Sequence, residues 1–203
     1  ITGPHMLARF SVNERTDLYP NDIALAKAYA LVLKEELEQV ISEGCDYIQF
    51  DEPVWTENVN ETLWAAEILN DIIESFPNVD FNLHVCGGNA HRKRGFFGKY
   101  TDMIDAFKIL KVNEIHLEHC SLHYKMLDVF NEWNFDGRVS LGVIDQRIDN
   151  IETEEDIIKA IQPALDYFPK EKILLTSECG FGHVPIDIVK NKIKILVSTA
   201  KKL

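Results

Sequence analysis

Strand-like and helix-like stretches alternate along the whole chain, and this alternation restricts the fold more than any other feature of the sequence. Short apolar runs read as strands at Tyr47–Phe50, Phe81–Cys86, Glu114–Cys120, Val139–Ile144 and Ile173–Ser177. Between them lie stretches with helical spacing of apolar residues. From Asn21 to Gly44 the stripe is Ile23, Ala26, Ala30, Leu33, Leu37, Val40 and Ile41, opened by an Asn cap and stopped at glycine. Further helices are expected over Asn60–Phe76, Gly98–Leu110, Tyr124–Trp133, Thr153–Tyr167 (with Pro163 as a kink) and from Pro185 to the chain end. A strand–helix series of this kind builds a parallel sheet. Either a doubly wound sheet or a (β/α)8 barrel satisfies it. No Gly-x-Gly-x-x-Gly follows any strand, which disfavours the dinucleotide-binding version. Polar residues recur at strand C-termini, where a barrel carries its chemistry. The expectation is therefore an α/β TIM barrel in one partial domain over residues 1–203. Only five clear strands and one more at Ile1 are present, fewer than eight.

Side chains alternate along a strand, so residues two apart share a face. Asn82, His84 and Cys86 form one such set, ending at the Gly87–Gly88 turn. Gln49 with Asp51, His116 with Glu118 and Cys120, Val143 with Asp145, and Ser177 with Cys179 form the others. If these faces point inward, the mouth of the barrel collects Asp51, His84, Cys86, Glu118, Asp145 and Cys179. A histidine, two cysteines and a carboxylate make a tetrahedral zinc shell. Other readings stay open at this point. Each cysteine alone could be a small buried hydrophobe, His84 could be a core histidine, and Cys120 is an alternative ligand. His116 reads as a hydrogen-bonded core group and Cys45 as packing.

Charge and composition exclude some functions. The net charge of −12 argues against a nucleic-acid surface. The one basic run, His91-Arg92-Lys93-Arg94, reads either as a solvated loop or as an anion-binding lid. No apolar run approaches the ~20 residues of a membrane span, and the first residues lack the pattern of a signal peptide. The four cysteines are widely spread, which fits reduced thiols in a cytoplasm, some of them metal ligands, better than a disulfide framework.

Taken in order, Ile1-Thr2-Gly3-Pro4, Tyr47–Pro53, His84-Val85-Cys86, Ile115–Glu118, Gly142–Asp145 and Glu178–Gly182 resemble the catalytic domain of cobalamin-independent methionine synthase. The resemblance runs the length of the chain. It implies a (β/α)8 barrel with zinc held by His84, Cys86, Glu118 and Cys179. It implies homocysteine as the thiol, its amino group bound by Asp51, and a methyl donor such as methyltetrahydrofolate near Glu57. Phe10 stands where the family has a tryptophan that stacks on the pterin. Arg147, two residues past Asp145, replaces a histidine proton donor. The family's domain also starts two βα units earlier, so the resemblance implies a barrel lacking those units, either a fragment of a longer product or a chain that needs a partner copy.

Two other functions fit the same residues. Short relatives use other thiols or donors, and a sister group applies the same zinc chemistry to coenzyme M. A metal-binding barrel fragment without catalysis is the third reading.

Overall fold

Five strands form one parallel sheet in chain order: β1 (Tyr47–Asp51), β2 (Asp80–Val85), β3 (Glu114–Glu118), β4 (Arg138–Ile144) and β5 (Ile173–Ser177). The computed structural model describes residues 1–203. β1 and β5 are the sheet's edges and do not pair, so the barrel is not closed. Ile1 does not begin a full strand; Thr2 adds a single parallel bridge to Asp51. The α-helices are α1 (Pro4–Phe10), α2 (Asp22–Ser42), α3 (Thr62–Ile73), α4 (Ile104–Ile109), α5 (Glu154–Ile161) and α6 (Ile186–Ala200).

Two of the expected helices form where their caps predict, while the stretch expected as helix over Gly98–Leu110 opens as a 3-10 turn, Tyr100–Met103, ahead of the short α4. The Asn21 side chain accepts from the Ala24 amide and opens α2. Thr153 and Asp156 form a capping box at α5. Past Ile161 the chain tightens into a 3-10 turn over Gln162–Asp166, at Pro163. Tyr124–Trp133 differs from expectation: it folds as a 3-10 segment, Lys125–Asn131, entered through a left-handed Tyr124. Helix α1 was not expected. Its first amides, on His5 and Met6, each donate to the Glu52 carboxylate at 2.9 Å, so the residue after β1 caps it from 46 or 47 positions away. Burial pushes the Glu52 carboxyl up to about 8, against the pull of these two amides.

The two faces of the sheet differ in chemistry. Ile48, Phe50, Phe81, Leu83, Val85, Ile115, Leu117, Val139, Leu141 and Val143 point to the helices and join one apolar cluster of 39 residues, so the chain has a single core. Val143 was expected on the inward face with Asp145; in β4 that face belongs to Ser140 and Gly142, level with His116 and Glu118. The opposite face is polar: Gln49, Asn82, His84, Glu114, His116, Glu118 and Ser140. All of these but the half-buried Gln49 are nevertheless buried. Buried polar groups need partners. Tyr47 Oη donates to Glu114 Oε1 (2.9 Å), Ser140 Oγ to the same oxygen (2.5 Å), and Arg138 Nε to Glu114 Oε2 (3.1 Å). Burial, and then the Glu114 charge, push the Tyr47 hydroxyl up to about 12. No helix is long and apolar enough to cross a membrane.

Candidate metal centre

The parallel register aligns the strand ends. Asp51 is paired with His84, His84 with His116, and Glu118 with Gly142. Cys86 lies just past β2 and Cys179 just past β5. Ligand atoms of His84, Cys86 and Cys179 all lie within 4.8 Å of one another. The two sulfurs are 3.7 Å apart. Two thiolates about 2.3 Å from one tetrahedral ion stand about 3.8 Å from each other, so the spacing matches a shared zinc.

His84 supplies the second sign of a metal. Both of its ring nitrogens are buried and neither has a hydrogen-bond partner. An unsatisfied buried polar group costs about 1–3 kcal/mol, and an imidazole turned toward two thiols is explained if a ligand completes it. His116, whose ring centroid lies 4.0 Å from that of His84, differs in this respect: its Nε2 is 2.8 Å from the Ser177 carbonyl. Burial holds His116 well below the ordinary histidine range, so it is neutral. In the thiol pair, the hydrogen bond from Cys86 holds Cys179 well below the ordinary thiol range, while Cys86 is pushed up. Cys120 stands apart from the cluster, with Sγ 3.3 Å from Glu178 Oε1.

Glu118 is fully buried beside the cluster, but its oxygens are occupied. Oε1 pairs with Arg147, and Oε2 accepts from the Gly87 amide (2.9 Å) and pairs with Arg94 Nη1 (3.1 Å). Gly87 makes this possible. A side chain there would collide with Arg94, whose Nε would lie 2.4 Å from a Cβ as the loop folds back to reach Glu118. Arg147 also donates to Glu178 Oε2 (2.9 Å) and to the Gly88 carbonyl (3.2 Å). Burial works against the Arg147 charge, but Glu118, Glu178 and Asp145 more than offset it and raise its pKa. Asp145 Oδ1 accepts from the Arg147 amide at 2.8 Å.

Asp51 is half-buried and accepts from Gln49 Nε2 at 2.8 Å. Phe10 and Glu57 are exposed, and Thr56, next to Glu57, donates to the Cys86 carbonyl at 2.8 Å. Arg9 donates to Asn58 Oδ1 at 3.2 Å, so the end of α1 and the segment holding Glu57 are neighbours.

Two members of the cluster's surroundings escape strand parity. Glu178 is fully buried and accepts from the Ser121 and His119 amides at 2.6 and 3.1 Å. Alternation from Ser177 assigns it to the other face. A register shift between Gly142 and Ile144 breaks the alternation and turns Glu178 inward. Gly142 admits it: a Cβ there would sit 2.7 Å from Glu178 Cα. Arg94 is the other, reaching Glu118 only because of the turn at Gly87. Behind Asp145, the fully buried Lys192 of α6 binds both Glu152 oxygens (2.9 and 2.8 Å) and the Asp145 carbonyl (3.0 Å), fixing the loop after β4.

Residues 1–202 match the family model for the catalytic domain of cobalamin-independent synthase. A methionine synthase from Sulfurisphaera tokodaii is 31% identical over 201 residues, which is 99% of this chain and 55% of that protein. One from Saccharolobus solfataricus is 27% identical over 201 residues, 99% of this chain and 56% of that protein. Among solved structures, a B12-independent methionine synthase from Shewanella sp. W3-18-1, in complex with selenomethionine, superposes with a TM-score of 0.79 at 23% identity. That superposition covers 100% of this chain and 60% of the other, and it shows a shared fold. The chain spans a little over half the length of the relatives it matches.

Proposed function

The chain belongs to the family of cobalamin-independent synthase catalytic domains, and on that premise we propose that it transfers a methyl group to the thiol of homocysteine at a zinc ion. The observation that carries this reading is the convergence of His84, Cys86 and Cys179, with both imidazole nitrogens unspent. In this proposal these three side chains hold the ion, and Glu118 is the fourth donor once Arg147 gives up one of its oxygens. When bound, zinc lowers the pKa of a coordinated thiol, so that sulfur is a nucleophile at neutral pH.

The chain's own residues do the rest. Asp51, level with His84 across β1 and β2, has one oxygen held by Gln49 and the other available to accept from the substrate's amino group. The S–CH3 bond forms as the donor's N–CH3 bond breaks; the thiol proton leaves and the donor nitrogen gains one. Arg147 does not supply that proton, because a guanidinium keeps its charge at any working pH. It acts as a fixed cation between Glu118 and Glu178. Asp145, with Oδ2 free of hydrogen bonds, is the group left to carry a proton to the nitrogen. The donor is a methylated folate in this reading, with Phe10 and Glu57 on its side of the mouth.

Assay of methyl transfer from methyltetrahydrofolate to homocysteine by the zinc-loaded chain tests the proposal. Expected are methionine from the wild type and none from Asp51→Ala, with zinc retained in both. Unchanged turnover in Asp51→Ala, or none in the wild type, contradicts it.

A further inference from the structure

One layer below the cluster, a single run of hydrogen bonds crosses the inner face of the sheet. Gln49, Asn82 and Glu114 are level with one another across β1, β2 and β3, two positions before Asp51, His84 and His116 on the same face. Asn82 and Glu114 are each only 1% exposed. The run starts at Glu114, whose Oε1 accepts from Tyr47 Oη, and ends at Asp51, whose Oδ1 accepts from Gln49 Nε2. Between these ends Asn82 Nδ2 donates to Tyr47 Oη at 3.1 Å and to Gln49 Oε1 at 2.8 Å.

The two ends dictate the direction of every bond in the run, because a carboxylate only accepts. Glu114 is paired with Arg138 and also takes a bond from Ser140. Tyr47 therefore spends its one hydrogen on Glu114, and its oxygen is left to accept. Gln49 likewise turns its amino group to Asp51, which leaves its carbonyl oxygen to accept. The residue in the middle must then present two hydrogens from one atom. Among uncharged side chains a primary amide does this. Asn82 meets the need at a cost, since its Oδ1 is buried and has no partner. The side chain is held there for its donors.

We propose that Asn82 determines selectivity for a thiol that carries an amino group, as a positioning residue acting through Gln49 on Asp51. The inference rests on the reading of Asp51 as the group that binds the substrate's amine. By holding the Gln49 carbonyl, Asn82 keeps the Gln49 amino group on Asp51 Oδ1. The carboxylate is then fixed in one rotation, with Oδ2 left for the substrate ammonium. Without donors at position 82 the Gln49 amide is free to turn over. Its oxygen then faces the Asp51 carboxylate, and two acceptors repel. The ammonium loses its partner, while the thiol still reaches the cluster.

Calorimetric titration of the zinc-loaded 203-residue chain with homocysteine and with 4-mercaptobutyrate tests this. The second probe keeps the thiol and the carboxylate and lacks the amino group. Expected is a wild-type preference for homocysteine that falls about tenfold or more in Asn82→Asp, the size of a lost hydrogen bond to a charged group. That variant puts acceptors of the same shape in place of the two donors. Asn82→Leu, which buries no new charge, is expected to lose the preference as well. Binding of 4-mercaptobutyrate is expected to be unchanged in both, whereas general damage to the mouth would weaken both probes alike. A preference that survives in both variants, or an equal loss of both probes, overturns the proposal and leaves Asp51 in its role. A wild type that binds the two probes equally, or binds neither, overturns the reading of Asp51 and this proposal with it.

Discussion

The sulfurs of Cys86 and Cys179 lie 3.7 Å apart although 93 positions separate the residues in sequence. Their strands, β2 and β5, are not neighbours; β3 and β4 lie between them. In a flat sheet with strands ~4.8 Å apart, the two ends would be about 14 Å from each other. The sheet therefore curls as a barrel wall does, and the curl brings the thiols together over the mouth. This single distance links the fold to the proposed chemistry.

Metal retention depends on that pair. Structural zinc shells bind with about 10–16 kcal/mol spread over four ligands, so losing one thiolate weakens binding by roughly 100-fold or more. Cys179→Ser is expected to lose zinc on dialysis against a competing chelator. Cys45→Ser, whose thiol faces the Tyr47 carbonyl at 3.4 Å, is expected to keep it. Cys120→Ser is expected to keep it as well. Elemental analysis of the three variants checks the assignment.

Arg147 neutralises two fully buried carboxylates, Glu118 and Glu178. Removing one partner of a buried charge group costs about 3–5 kcal/mol, so Arg147→Met is expected to lower stability by that order in urea unfolding. Arg147→Lys does not restore it, since one ammonium cannot replace a fork that serves two acids. Arg92→Met, whose partner Asp149 is 66% exposed, is expected to cost less than about 1 kcal/mol.

Gly142 and Gly180 separate close approach from mere turn preference. Gly142→Ala places a Cβ 2.7 Å from the Glu178 backbone, which a side-chain rotation cannot relieve. Overpacking of this kind costs about 1–3 kcal/mol. A Cβ at Gly180 meets nothing within 4 Å, so Gly180→Ala is expected to stay within about 0.5 kcal/mol of wild type. Melting temperatures of both variants compare them directly.

Acid should weaken the fold through buried histidines. His5 is fully buried, with Nε2 2.9 Å from Glu61, and burial lowers its pKa more than Glu61 raises it. The unfolded chain then binds more protons than the folded one, so stability is present above pH ~6.5 and is lost as pH falls below it. His5→Phe, which keeps the edge contact with Trp64, is expected to flatten the fall in urea midpoint between pH 7 and 5. An unchanged slope contradicts the assignment.

Much of this arrangement was legible in the residues themselves. Caps at Asn21 and Thr153 placed two helices, and two-residue alternation placed the inward faces of β1 to β3, because both signals are local. What was not legible depends on contacts made at a distance. Helix α1 has only seven residues and is capped by Glu52, from the far end of β1. Glu178 turns inward through a register shift between β4 and β5, which a single strand's pattern does not encode. The Arg94–Glu118 pair needs the loop to double back over Gly87, and no spacing rule gives that. The same pair gives Glu118 a partner that sequence reading did not anticipate, since strand parity placed it among the metal donors without its arginines.

Zinc-edge X-ray absorption on the zinc-loaded chain tests the central claim most directly. Expected is one zinc per chain with two sulfur scatterers at about 2.3 Å and at least one nitrogen at about 2.0 Å. In Cys179→Ser, whatever zinc remains should show one sulfur. A spectrum from the wild type with only nitrogen and oxygen neighbours would contradict it.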